Sequence, residues 1–151
     1  MIEIVCPTET DTLAAAGRLA SICRPDDVIV LAGPLGAGKT AFVSGLADGL
    51  GVEEIVASPS YVLMRRYDSG FLPLVHVDVY RLSSIGEFED LGVFEEGRGG
   101  VVAVEWGEVV GGVLPADRLT VRFTVESDGT RRLELVPGGI WQARPLEELV
   151  A

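Results

Sequence analysis

Lysine and histidine each occur once in this 151-residue chain, at Lys39 and His76, and asparagine does not occur at all. Cysteine is nearly as scarce, with Cys6 and Cys23 alone. Two cysteines without metal-ligand spacing and one histidine do not make a zinc set, so a structural zinc is excluded. The cysteines read as buried thiols in a reducing cytoplasm. Basic residues are outnumbered 12 to 23 by acidic ones, for a formal net charge of -11. A chain so acidic repels a phosphate backbone at long range, which argues against direct nucleic-acid binding. No apolar run reaches the roughly 20 residues of a membrane span. Met1-Ile2-Glu3-Ile4 shows no basic segment followed by an apolar stretch, so no signal peptide is expected and the cytoplasm is the expected location. Internal repeats and low-complexity segments are missing as well.

What remains is a chain with 48% hydrophobic residues, enough for a substantial core, and a length that predicts a single domain over residues 1–151. Ile2 to Cys6 reads as a short strand. Thr8 and Asp11 have capping-box spacing, and Leu13 to Cys23 reads as a helix with Ala16, Leu19, Ala20 and Cys23 on one face. Val28-Ile29-Val30-Leu31-Ala32 has the continuous apolar character of a strand covered on both sides. Tyr61–Tyr67 and Leu74–Leu82 read as strands joined through Asp68-Ser69-Gly70. In the second of these, His76, Asp78 and Tyr80 point one way and the valines between them the other. Ser84 to Leu91 predicts a short helix and Gly92 to Gly100 a mobile loop. Val101 to Val104 predicts a buried strand ending in Glu105-Trp106. Leu119–Val125 and Arg131–Val136 predict a hairpin across Asp128-Gly129, and Pro145 to Ala151 a terminal helical turn.

The one lysine falls inside Gly33-Pro34-Leu35-Gly36-Ala37-Gly38-Lys39-Thr40, which fits the phosphate-loop pattern G-x-x-x-x-G-K-[ST]. A buried strand precedes it. Phe42, Val43, Leu46, Ala47 and Leu50 recur after it at helical spacing, with Gly51 as a stop. That order is the context a working phosphate loop requires, and it predicts an ATP site. Residues from Gly36 to Thr40 would wrap the phosphates with backbone N–H groups at a helix N-terminus. Lys39 would neutralise charge between the β- and γ-phosphates, and the Thr40 hydroxyl would coordinate Mg²⁺. GTP is disfavoured, because guanine recognition by Asn-Lys-x-Asp needs an asparagine and a second lysine. Gln142 is the one glutamine and lies far from any switch segment.

Glu105, following four apolar residues, has the position of a strand-end acid that faces Mg²⁺. Asp78 is the second candidate carboxylate. It could orient the attacking water, hold the cation through its hydration shell, or pair with Arg81. His76 reads as a satisfied structural histidine, since no second ligand or nucleophile is evident. Ser60 reads equally as a γ-phosphate sensor and as a turn-forming serine. Trp106 reads as packing or as a partly exposed contact. Arg65-Arg66 and Arg131-Arg132 read as solvated strand positions. Beside the ATPase stand two alternatives, a small phosphotransferase on the same loop and a nucleotide-gated binding module with little hydrolysis. The first would need arginines in a lid, and Gly92 to Gly100 offers only Arg98.

Taken in order, the phosphate loop, Ser58-Pro59-Ser60-Tyr61, His76-Val77-Asp78-Val79-Tyr80-Arg81-Leu82, Leu91-Gly92 and Glu105-Trp106 resemble the TsaE family, also called YjeE. These are small bacterial P-loop ATPases of tRNA threonylcarbamoyladenosine biosynthesis, and the resemblance spans roughly residues 2 to 136. It implies an α/β fold of the P-loop NTPase type: a mixed β-sheet, with a parallel core and antiparallel hairpins, flanked by helices and binding Mg-ATP. It implies that Leu35, Gly36, Ala37, Gly38, Lys39, Thr40 and Ala41 bind the nucleotide, with Glu9 in the stretch that passes it. It assigns Thr40 and Glu105 to Mg²⁺ and gives Asp78, Lys39 and Ser60 to hydrolysis or switching. The implied partners are TsaB and TsaD, the latter transferring threonylcarbamoyl to the adenosine at tRNA position 37, so that tRNA is met only indirectly. Hydrolysis is thought to reset that complex. This chain departs from the family at Pro34, where Asp is usual, at Ala41, where Thr is usual, and at Ser60, which replaces Thr. Ala41 removes a side-chain hydrogen bond to phosphate worth about 1–2 kcal/mol. The donors that cradle phosphate lie after Pro34, so binding is expected to survive there.

Overall fold

The computed structural model describes residues 2–57, 64–79, 82, 84–105 and 107–150. The strands are β1 (Ile2–Cys6), β2 (Asp27–Ala32), β3 (Met64–Tyr67), β4 (Leu74–Asp78), β5 (Val101–Glu105), β6 (Leu119–Val125) and β7 (Arg131–Pro137). They form one seven-stranded sheet in the order β1-β7-β6-β2-β5-β4-β3. β6, β2, β5 and β4 run parallel in the centre. β3 closes one edge as a hairpin with β4, while β7 and β1 extend the other edge antiparallel. The expected parallel core with antiparallel hairpins is therefore the observed sheet.

β2 explains itself by its sequence. Ile29 and Leu31 enter one core layer and Val28 and Val30 the other, so a continuous apolar run is what a central strand covered on both faces requires. Helices α1 (Glu9–Ala20) and α2 (Lys39–Gly49) cover the first face. The second face carries α3 (Ile85–Asp90), α4 (Val93–Glu96) and the 3-10 segment Gly107–Val113. Among the described residues, no helix is long and apolar enough to cross a membrane.

α1 begins at Glu9, earlier than its apolar period suggests, because the capping box starts it. Thr8 Oγ1 accepts from the Asp11 N–H at 3.3 Å, and Asp11 Oδ2 accepts from the Thr8 N–H at 2.9 Å. It stops at Ala20, with Ser21 as the cap, rather than running to Cys23. α1 and α2 meet backbone to backbone. A methyl on Gly45 would lie 2.4 Å from Leu13 O, and one on Gly49 would lie 2.5 Å from Ala20 Cβ. Nothing larger than glycine fits at this crossing.

Two expected elements differ. β4 ends at Asp78 instead of continuing to Leu82. The stretch expected as a mobile loop holds α4, which Gly92 opens in the left-handed conformation at φ 64° and which buries Val93 in the second core layer. At the C-terminus the expected helical turn is present as Leu146–Leu149, preceded by a 3-10 turn, Gly139–Ala143, that buries Trp141 completely.

Cys6 is buried, as expected, whereas Cys23, also expected buried, is half-buried. Burial, with Asp27 adding repulsion, pushes the Cys23 thiol up to about 12. Native Cys23 is expected to resist a thiol reagent at pH 8 and to react fast once urea unfolds the chain, measured by labelling with and without denaturant. The unfolded thiol ionises first, so the folded state loses stability as pH rises from the ordinary 9.0 towards about 12.

Candidate functional site

β2 feeds directly into the glycine loop, and the loop into α2. Gly38 caps the helix in the left-handed region at φ 100°, and Gly36 sits at φ 76°. Only glycine adopts such angles without strain. A methyl on Gly36 would meet nothing within 4 Å, and one on Gly38 only Arg131 Nε at 4.0 Å. Both positions therefore open onto free space beside the loop. The Phe42 N–H bonds Gly38 O at 2.9 Å. The amides ahead of it form the helix end, where α-helical geometry supplies no carbonyl and the dipole is positive.

Lys39 is 5% exposed and curls back over the loop, its Nζ donating to Gly33 O at 2.6 Å and to Pro34 O at 3.0 Å. Across from it, the parallel register sets Glu105 beside Leu31 on one side and Asp78 on the other. Two carboxylates thus share the C-terminal edge of the sheet, directly beside the loop. The Thr40 hydroxyl lies 3.3 Å from each Glu105 carboxylate oxygen. Glu105 is buried, and its Oε2 also meets His76 Nε2.

A cavity of about 270 Å³ collects these groups. Its loop side is formed by Leu35, Gly36, Gly38, Lys39, Thr40 and Ala41, its opposite side by Asp78 and Glu105, and Glu9 and Arg131 complete it. Ala37 is buried beneath the loop rather than facing the cavity. Ser60, Trp106 and Arg81, the alternative partner of Asp78, lie outside the described residues. A larger hollow of about 580 Å³ lies at the other end of the strands, beside Asp26, Val28 and Val102. It is mostly apolar and holds Arg98, which is therefore remote from the glycine loop.

Arg131 corrects the sequence reading. Arg132 is a surface residue, paired with Glu3 and Glu126. Arg131 instead reaches the loop, donating from Nε to Ala37 O at 3.3 Å and from Nη2 to Gly36 O at 3.0 Å, while Nη1 bonds Gly129 O at 2.8 Å. The signal was the period of two: Arg131 shares its strand face with Leu133 and Leu135, which point into the α1–α2 layer. Arg131→Ala removes three hydrogen bonds to carbonyls, each worth about 1 kcal/mol net. We expect it to weaken Mg-ATP binding about tenfold, read by calorimetry, because the loop loses its brace.

The donor set suits magnesium. Among the described residues no three His, Cys, Asp or Glu side chains converge as a protein-only metal cage. A hydroxyl and one or two carboxylates beside a phosphate cradle are the hard-oxygen arrangement Mg²⁺ takes when phosphates and water complete its shell.

Strand, glycine loop and helix, with an acid on the tip of the adjacent parallel strand, define a P-loop type α/β protein. The fold is similar to the crystal structure of Bacillus subtilis YdiB, with a TM-score of 0.81 and 34% identity, covering 98% of this chain and 93% of that one. Residues 6–133 match the family model described as threonylcarbamoyl adenosine biosynthesis protein TsaE. The chain is 48% identical to the Treponema pallidum tRNA threonylcarbamoyladenosine biosynthesis protein TsaE over 133 residues, 87% of this chain and 98% of the relative. It is 41% identical to the Bacillus subtilis protein of the same name over 140 residues, 92% of this chain and 87% of the relative. The chain belongs to the TsaE family.

Proposed function

We propose that this protein is the Mg-dependent ATPase of the bacterial tRNA threonylcarbamoyladenosine machinery and works with TsaB and TsaD. Membership of the TsaE family supports the pathway. The observation that carries the chemistry is the Thr40 hydroxyl set 3.3 Å from both Glu105 oxygens, in the same cavity as Lys39.

In this reading the amides from Gly36 to Thr40 bind the phosphates, with Leu35 and Ala41 flanking them and Glu9 beside the nucleotide. Lys39 neutralises charge at the β- and γ-phosphates. Thr40 and Glu105 would hold Mg²⁺, which when bound neutralises phosphate oxygens as negative charge develops. Asp78, on the neighbouring strand tip, accepts a hydrogen bond from the attacking water and fixes its direction. Ser60 serves the same site as the γ-phosphate sensor. The acidic exterior leaves tRNA to the partner proteins.

Phosphate release from Mg-ATP, measured with the chain alone and with the TsaB–TsaD pair, tests the proposal. Turnover that disappears in Glu105→Ala supports it. ADP formed only when an acceptor is present would make the protein a phosphotransferase, and binding without turnover in either condition would make it a gated module. Arg98 lies away from the loop, which weighs against the phosphotransferase.

A further inference from the structure

We infer that His76 is a positioning residue for Glu105: its Nε2–H holds the carboxylate in line with the Thr40 hydroxyl and thereby sets how tightly the site takes Mg²⁺. The inference rests on the reading above that Thr40 and Glu105 hold the cation.

His76 is the only histidine of the chain and is wholly buried. The register of β4 on β5 pairs His76 with Ala103 and Asp78 with Glu105. On one face of a strand every second residue is a neighbour, so His76, Asp78, Ala103 and Glu105 share a face. From its place opposite Ala103 the imidazole reaches Glu105 Oε2, two residues further along β5. An ionised carboxylate only accepts hydrogen bonds, so the ring nitrogen facing it carries the proton. Nδ1 is buried and has no partner among the described residues. The ε-tautomer meets both conditions, because it puts N–H against the carboxylate and leaves no buried N–H orphaned. Glu105 Oε2 then takes the ring donor, while the Thr40 hydroxyl lies 3.3 Å from both oxygens. Without the ring, a buried carboxylate keeps Thr40 alone and is free to turn.

A purely structural histidine would give up stability on replacement and leave the magnesium dependence of nucleotide binding unchanged. The test is ATP binding by the full chain, titrated with Mg²⁺, for the wild type, His76→Gln and His76→Leu. Glutamine can offer its amide N–H where Nε2 stands, and leucine cannot. We expect His76→Leu to raise the Mg²⁺ concentration needed for half-maximal tightening by about tenfold or more, the range seen when an outer partner of a metal ligand is removed. His76→Gln should stay within about threefold of the wild type, with binding in EDTA equal in all three. Equal magnesium dependence in wild type and His76→Leu, or no rescue by glutamine, overturns the inference while leaving the cation reading intact. Wild-type binding indifferent to Mg²⁺ overturns the cation reading, and the inference with it. Should His76→Leu not fold, ¹⁵N spectra of the single imidazole decide. The ε-tautomer, with a Nε2 signal that moves in Glu105→Gln, supports the contact, and the δ-tautomer overturns it.

Discussion

Lys39→Ala is expected to weaken Mg-ATP binding by about a hundredfold. A hydrogen bond to a charged group contributes about 1.5–3 kcal/mol. On the proposed reading the ammonium would be shared between two phosphates, at the upper end of that range, and about 2.8 kcal/mol is a factor of one hundred in affinity. The effect is large because no other lysine exists to substitute. On a chain of net charge -11, the positive potential of the cavity comes from helix amides, Lys39 and Arg131. Lys39→Arg should recover little, since a planar fork does not reproduce a compact ammonium folded back on Gly33 O and Pro34 O. Calorimetric titration with Mg-ATP, alongside urea unfolding of each variant, measures this. A shifted affinity with an unshifted unfolding midpoint assigns the lysine to binding. An unchanged affinity removes it from the phosphate site.

Arg144→Ala is expected to lower folding stability by about 3–5 kcal/mol, the typical cost of stripping one partner from a buried ion pair. Arg144 Nη1 and Nη2 each donate to an Asp27 oxygen at 2.8 Å, and side-chain exposures are 4% and 1%. Nη1 also bonds Ile22 O at 3.1 Å, and the guanidinium lies 4.2 Å from the centre of the Trp141 ring. The hydrogen bond to Asp27 holds Arg144 above the usual arginine range, so no accessible pH discharges it. Against a domain stability of about 5–15 kcal/mol, the loss threatens folding itself. Asp27→Leu combined with Arg144→Met removes both charges and should be less damaging than Arg144→Ala alone. It will not be neutral, because Asp27 Oδ2 also accepts the Arg24 N–H at 2.6 Å. Asp27 opens β2 and the glycine loop follows its far end, about 20 Å away at strand spacing. Folded Arg144→Ala should therefore bind nucleotide as the wild type does. Urea denaturation gives the first number and calorimetry the second.

These two sites differ in how far they were legible beforehand. The glycine loop is local: eight consecutive residues, an apolar strand before them and a helical period after them announce it. Glu105 was legible as a strand-end acid and Asp78 as an acid inside a strand, but their adjacency is a matter of register, which a parallel crossover does not write into either strand. The side-chain contacts that were missed are all long-range. Arg131 meets Ala37 across 94 positions, Arg144 meets Asp27 across 117, and His76 meets Glu105 across 29. An arginine looks solvated in sequence whether its partner is water or a distant carbonyl. α4 was missed for the opposite reason, since four residues are too few to display a helical period.

The bare contact between α1 and α2 bears on how the site can adjust. Gly45 lies against Leu13 O and Ala16 Cβ, and Gly49 against Ala20 Cβ and Gly17 O, so at this crossing the two helices have no room to approach further. Glu9 at the head of one and Lys39 with Thr40 at the head of the other therefore reach the cavity from two closely packed helices. Asp78 and Glu105 face them across the same cavity from the last positions of β4 and β5.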